Sequence, residues 1–261
     1  MSAAVAMTEA SVLTEAVGSV LVITLNRPKA RNAVDSVVAH AIAQAVDRLE
    51  SDPSLRVGVI AGSGGFFSAG MDLKAFLRGE SPRVEGRGFA GLVEAPPTKP
   101  LIAAVDGPAL AGGFEIALAA DLIVASPTST FGLPEVRRGL VAAAGGLTRL
   151  PGRIPRAVAI EMALTGKAMT AVELQPFGLV NRLAPEGTVL QAAIELAEEI
   201  AANGPLAVRA SKRVIDESPA WAPAEAFART REIVMPVFDS NDAREGASAF
   251  AAGRAPIWTA T

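Results

Sequence analysis

Glu115 and Glu135 are the residues of this chain best suited to move protons. Glu115 closes the stretch Ala-Gly-Gly-Phe-Glu at 111–115 and Glu135 closes Phe-Gly-Leu-Pro-Glu at 131–135, twenty residues apart. Glycine or proline makes each local backbone special, and the region around them is apolar. Two carboxyl groups in such settings can divide general acid and general base work. Few other side chains could take over that work: the chain has no cysteine, no tyrosine and one histidine, His40. Cysteine nucleophiles, histidine-rich zinc sites and tyrosine acids are therefore excluded, and a Ser–His–Asp triad would have to use His40. That histidine lies two residues from Val38, about opposite the apolar face of its predicted helix, and reads as an exposed bystander.

Two glycine-containing segments can bring backbone donors to such a pair. In Phe67–Lys74 a glycine lets the backbone approach a ligand closely, and successive N–H groups can point at an oxyanion. The same residues also fit a plain strand-to-helix turn with Asp72 near the helix start. In 106–121, Gly112 and Gly113 can end a loop and open a helix whose N-terminal amides attract negative charge. Glu115 then stands in the first turn, which the helix dipole favours with or without catalysis. The residues after it are apolar up to Asp121, which predicts a buried helix and a partly desolvated carboxylate at its mouth. Glu135 could equally pair with Arg137 or Arg138 at a surface. Gly62-Ser-Gly-Gly is not a GxGxxG turn, since Phe67 stands at the last position, and the G-x4-G-K-[ST] and G-x-S-x-G patterns are absent.

These residues need a scaffold, and the rest of the chain outlines one. With 261 residues, half of them hydrophobic, the chain can bury a substantial core as one large domain or two small ones. A net charge of −3 argues against a nucleic-acid binder. The first sixteen residues lack a basic region followed by an apolar run, and Ile116–Ala125 is too short to span a bilayer, so a soluble cytoplasmic protein is expected. Apolar runs at Val20–Leu25, Arg56–Ile60, Leu101–Val105, Leu122–Ala125 and Leu179–Leu183 read as strands. Asp35 can cap a helix to about Glu50, since Val38, Ile42, Ala45 and Leu49 share a face. Arg78–Lys99, rich in Gly, Pro and Arg, reads as a mobile loop with room for a short helix. Helices are expected at Val189–Ala202, Leu206–Asp216, Ala224–Phe238 and Ala243–Ala252, with Pro236 kinking or ending the third. Strands and helices alternate up to about residue 188, as in α/β folds, and helices alone occupy 189–261, forming one continuous unit with the core.

Taken in order, the motifs resemble the enoyl-CoA hydratase/isomerase family, the crotonase superfamily. LNRPKARNAV at 25–34 resembles its early Asn-Arg-Pro segment, and FFSAGMDLK at 66–74 its first oxyanion loop. DGPALAGGFEIALAADLIVAS at 106–126 resembles its second loop and buried helix, and FGLPEVRRGLVAAAGGLTRL at 131–150 carries its second acidic position. ALTGKAMTAVELQPFGLVNRLAP at 163–185 and NDAREGASAFAAGRAP at 241–256 follow its later segments. Each motif is loose alone; six in order with matching spacing are specific.

The resemblance implies an α/β crotonase-like spiral of ββα units with a C-terminal helical region that mediates trimers, often paired into hexamers. It implies an acyl-CoA thioester as substrate, with no further cofactor, metal, nucleic acid or membrane partner. The N–H groups of Met71 and Gly112 would form the oxyanion hole, and Glu115 and Glu135 fall on the two glutamates of hydratase members. The implied reaction is hydration of a trans-2-enoyl-CoA, with Glu115 activating water and Glu135 supplying the α-proton. Double-bond isomerisation, dehydration and non-catalytic acyl-CoA binding are the competing readings. Substrate contacts are expected from Lys29, Ala30, Arg31, Ala69, Gly70, Met71, Asp72, Leu73, Lys74, Gly112 and Phe250. Lys29, Arg31 and Lys74 can neutralise CoA phosphates or simply be solvated cations. Three positions depart from the family: Met71 replaces a common alanine, Ala142 a common proline, and Gly253 a lysine that often contacts CoA.

Overall fold

Aliphatic and β-branched runs supply the strands of the central sheet, and shorter strands between them build a second layer. A computed structural model describes residues 10–261. The reading of the N-terminal stretch falls largely on residues 1–9, outside the described residues. In chain order the elements are β1 (Val12–Val17), β2 (Val20–Leu25), α1 (Ser36–Ser51), β3 (Val57–Gly62), α2 (Leu73–Leu77), β4 (Arg83–Val84) and β5 (Gly88–Phe89). Next come β6 (Leu101–Val105), β7 (Ala109–Leu110), α3 (Gly112–Ala119), β8 (Leu122–Ala125), β9 (Thr130–Gly132), α4 (Gly146–Arg153), α5 (Arg156–Thr165), β10 (Met169–Thr170), α6 (Ala171–Leu174) and β11 (Arg182–Leu183). The helices α7 (Val189–Ala201), α8 (Pro205–Glu217), α9 (Ala226–Phe238) and α10 (Asn241–Ala252) complete the chain.

The large sheet has the order β1-β2-β3-β6-β8-β11, antiparallel at β1–β2 and parallel elsewhere. A smaller sheet has the order β10-β9-β7. A large-sheet strand, a small-sheet strand and a helix recur as β6-β7-α3 and β8-β9-α4. This is the crotonase fold, reached by repeating one ββα unit. The large sheet is apolar on both faces. Leu21, Ile23, Leu101, Ala103 and Val105 face the main core with α1 and α3, while Val20, Val22, Ile102 and Ala104 meet Val189, Ala193 and Ala197 of α7. Burial of both faces explains why the central strands read as continuous apolar runs. It also makes α7 part of the sheet's packing, whereas α8 and α9 bury no residue fully within the chain.

Several boundaries match their local chemistry. The Asp35 carboxylate accepts the Val38 N–H at 2.9 Å and caps α1, and Pro205 takes the first turn of α8. His40 is exposed, its Nδ1 beside the Ser36 carbonyl. Two expectations are corrected. No helix forms in 78–99; β4 and β5 pair there as a hairpin. Two-residue strands are too short to show a period, and the turn uses positive φ at Gly86 and Gly88. Of the expected strand 179–183 only Arg182–Leu183 pairs, because Leu179 and Val180 are buried ahead of it and the Asn181 side chain accepts the Ile123 N–H. α9 ends at Phe238, two residues past Pro236 and where the sequence places its end.

Candidate active site

The small sheet brings the two glutamates together. β7 and β9 run parallel, with Ala109 opposite Phe131 and Leu110 opposite Gly132. The Ala111 N–H extends this pairing to the Gly132 carbonyl at 2.9 Å. Glu115 and Glu135 therefore leave adjacent strand ends, five residues beyond Leu110 and three beyond Gly132. The rings of Phe114 and Phe131 pack 5.3 Å apart beneath them.

The two carboxyl groups have unlike surroundings. Glu115, in the first turn of α3, is 3% exposed. Its Oε1 accepts N–H bonds from Ala144 at 2.7 Å and Gly146 at 2.9 Å, while no protein donor reaches Oε2 among the described residues. Burial raises its pKa above the ordinary carboxylate value, and those two N–H groups and the Arg149 charge work against the rise. Glu135 lies in a short 3-10 turn, Pro134–Arg138. Its Oε2 is buried with no hydrogen-bond partner. Burial raises this pKa as well, and the Glu115 charge adds to the rise. Glu135 does not form the ion pair with Arg137 or Arg138 that a surface role would show: Arg137 donates to the Thr165 carbonyl instead, and Arg138 acts on Glu135 only as a distant charge.

The two glycine loops meet beside this pair. A Cβ built on Gly70 would lie 2.6 Å from the Gly112 nitrogen, so the loops are in backbone contact. Single β-bridges join Val34 to Met71 and Ser68 to Ala109, stitching the first loop onto β7. Among the described residues, neither the Met71 nor the Gly112 N–H donates to a protein acceptor. The Asn-Arg-Pro segment holds the first loop in place. Asn32 Nδ2 donates to the Ser63 and Phe66 carbonyls, and Arg27 bridges Asp35 and Asp72. The Asp72 carboxylate also caps α2 through the Lys74 and Ala75 N–H groups. Burial would raise the Asp72 pKa, but those N–H groups and Arg27 outweigh it and hold the carboxyl below its ordinary value.

The other expected contacts divide in two. Ala69, Gly70, Met71, Asp72, Leu73 and Lys74 lie in or just after the first loop, and Lys29, Ala30 and Arg31 occupy the turn beside it. The Ala69 N–H donates to the Arg31 carbonyl, and the Arg31 guanidinium lies 5.9 Å from the centre of the Phe66 ring. Lys29, Arg31 and Lys74 are exposed. Phe250, by contrast, is on α10 and 90% exposed, with little of its own chain around it. A separate cleft between the end of α1, α7 and α8 is lined by Glu50, Lys99 and Arg209. The three protons of Lys99 Nζ go to the Leu49, Asp52 and Leu55 carbonyls, so this lysine closes a helix end.

The enoyl-CoA hydratase/isomerase sequence family matches residues 15–261. This chain belongs to that family. It is 44% identical over 249 residues to a carnitinyl-CoA dehydratase of Proteus mirabilis, covering 92% of this chain and 95% of the relative. It is 43% identical over 251 residues to the enoyl-CoA hydratase EchA19 of Mycobacterium tuberculosis, covering 94% of each. The solved enoyl-CoA hydratase of Mycobacterium tuberculosis H37Rv superposes with a TM-score of 0.95 at 60% identity, covering 97% of this chain and 100% of that one. As an enoyl-CoA hydratase/isomerase family enzyme, the chain carries supporting residues that its motifs alone do not reveal. Ser68 Oγ donates to the Asn32 carbonyl and accepts the Gly70 N–H. Ala111 has φ 52 and ψ −130, a conformation that costs a non-glycine residue about 1–3 kcal/mol and is concentrated at functional sites. Phe89, in the hairpin that sequence periodicity does not reveal, presses its ring edge against Gly112. No short-range signal marks these residues, because their roles arise between segments distant in sequence.

Proposed function

We propose that the chain is an enoyl-CoA hydratase, adding water reversibly across the 2,3 double bond of a trans-2-enoyl-CoA to give the 3-hydroxyacyl-CoA. The observation that carries this reading is one carboxyl oriented by two N–H donors beside a second whose buried oxygen has no partner. The donors and the Arg149 charge favour an ionised Glu115, and the negative charge of Glu115 favours a proton on Glu135. In the proposed step the thioester oxygen accepts from the Met71 and Gly112 N–H groups. Glu115 takes a proton from water as the water oxygen bonds to the β-carbon. The π electrons move toward the thioester oxygen as an enolate, and the α-carbon then takes the Glu135 proton. Loss of one oxyanion donor typically costs ~10²–10³ in rate. Proton exchange with solvent restores the starting states.

Lys29, Arg31 and Lys74 are the cations proposed for the CoA phosphates, and Phe250 is proposed to meet the ligand of another copy of the chain. The carnitinyl-CoA dehydratase relative favours a second reading, elimination of water from a 3-hydroxyacyl-CoA, which uses the same groups in reverse. The test is turnover of a panel of 2-enoyl-CoA, 3-enoyl-CoA and 3-hydroxyacyl-CoA thioesters, from short linear to bulky acyl groups, followed by the absorbance of the conjugated thioester. Loss of absorbance with a 3-hydroxy product is expected. Shift of a 3,4 double bond into conjugation, with no hydration, would make the enzyme an isomerase, and binding without turnover would remove the catalytic reading.

A further inference from the structure

We propose that Arg149 is a positioning residue of this site: it clamps the Ala144–Gly146 turn, whose two N–H groups orient Glu115, onto the segment that follows the β4–β5 hairpin. This rests on the reading of Glu115 as the base. Ala144 and Gly146 flank Gly145, which has φ +99. A Cβ on Gly145 would fall on the Arg149 guanidinium, so the cation lies directly over the centre of the turn. The other arm of the guanidinium donates to the Val93 carbonyl at 2.5 Å. The cleft at this point is lined by Val93, Glu94, Ala143, Ala144, Thr148 and Arg149. Arg149 is half-buried, yet among the described residues no carboxylate forms an ion pair with it. Glu94, the acid that lines the cleft, is engaged by Arg83.

A half-buried cation without an ion pair must be balanced by charge nearby, and here that charge is Glu115. Burial weakens the hold of Arg149 on its proton, and the Glu115 carboxylate opposes that effect. The charged groups facing this region are Glu115 from α3, Glu135 and Arg138 from the 3-10 turn, Glu94 and Arg83 from the hairpin segment, and Arg153 one turn along α4. Arg149 is the cation that acts on Glu115 directly. The clamp therefore does two things. It fixes the donors geometrically, and its charge favours the ionised form of the base.

The experiment compares Arg149→Met, Arg149→Gln and Arg149→Lys with the wild-type enzyme. In the neutral variants the acid limb of kcat/KM should move up by about one pH unit or more, the usual effect of losing a nearby opposite charge. Activity below the shifted limb should then fall about tenfold or more and recover at higher pH. Affinity for a saturated acyl-CoA should not change. Arg149→Lys keeps the charge and should keep the wild-type limb with a lower kcat. A folded neutral variant with the wild-type limb overturns the proposal, and Arg149→Gln, which keeps a polar end group, serves if Arg149→Met does not fold. Infrared titration of the Glu115 carboxyl, assigned with Glu115→Gln, separates this result from the functional reading. Its midpoint should rise in the neutral variants even if the wild type hydrates no thioester, and an unmoved midpoint overturns the proposal.

Discussion

A carboxyl group that is useful for chemistry is here a burden on the fold. Burial raises the pKa values of both Glu115 and Glu135 above the ordinary value of 4.5. The ionised form is thus disfavoured in the folded chain relative to the unfolded one. Such a group loses stability as pH rises through the ordinary value toward the folded value, and the loss persists at neutral pH. Glu135, with its unpartnered Oε2, is the clearer case. Glu135→Gln is expected to melt higher than the wild type at pH 7–8, with the difference closing as pH falls below the ordinary value of 4.5. The same variant should lose about 10²–10⁴ in kcat, the range for acid–base groups. Thermal melts across pH, read beside turnover, check both, and a melting point at pH 7 below the wild type would contradict the argument.

At the scale of elements, the site depends on how closely two backbones can approach. Gly113 needs no unusual φ, so its role is purely steric: a Cβ there would collide with the Ser68 carbonyl. Ser68 in turn holds the Gly70 N–H and bridges to Ala109 of β7. Gly113→Ala should therefore push the two glycine loops apart. The expected cost is about 1–3 kcal/mol of stability, typical of overpacking, together with a fall in kcat larger than any change in substrate affinity. Steady-state kinetics and a denaturant melt measure the two effects. A wild-type kcat with only a lowered melting point would mean that the loops tolerate the displacement. The hairpin and the strand pairing of β7 with β9 are invisible to periodicity for one shared reason. Strands of two or three residues hold too few side chains to display an alternation, and their pairing is set by the loops they join.

Across the whole molecule, the C-terminal region divides by what covers it. α7 closes the second face of the sheet, and the chain's end folds back between α7 and α10, with Trp258 Nε1 donating to the Ala202 carbonyl at the end of α7 and Asp242 of α10 accepting the Thr259 and Ala260 N–H groups. α8 and α9 instead leave Ile215, Phe227 and Phe238 largely exposed. Exposed apolar surface of this kind usually marks an interface. The trimer implied by the family resemblance is expected to cover it, and sedimentation velocity should show three or six times the mass of one chain. A monomer at micromolar concentration would leave Phe250 without a neighbouring ligand to meet and would remove that residue from the proposed site.

Sequence alone determined the inventory and the ground plan: two glutamates as the candidate acid–base groups, no thiol or tyrosine to replace them, the large-sheet strands β2, β3, β6 and β8 but not the edge strand β1, α1 with its Asp35 cap, the helical end, and the family through six motifs in order. These are local or ordered properties, readable from composition, short periodicities and spacing. Tertiary structure decided how the glutamates differ. The donors to Glu115 come from residues 29 and 31 positions further along the chain. The strain at Ala111, the Ser68 link and the Arg149 clamp likewise join segments distant in sequence. Protonation follows from burial and from donors, and both are set by which distant segments are brought together, which no local pattern records.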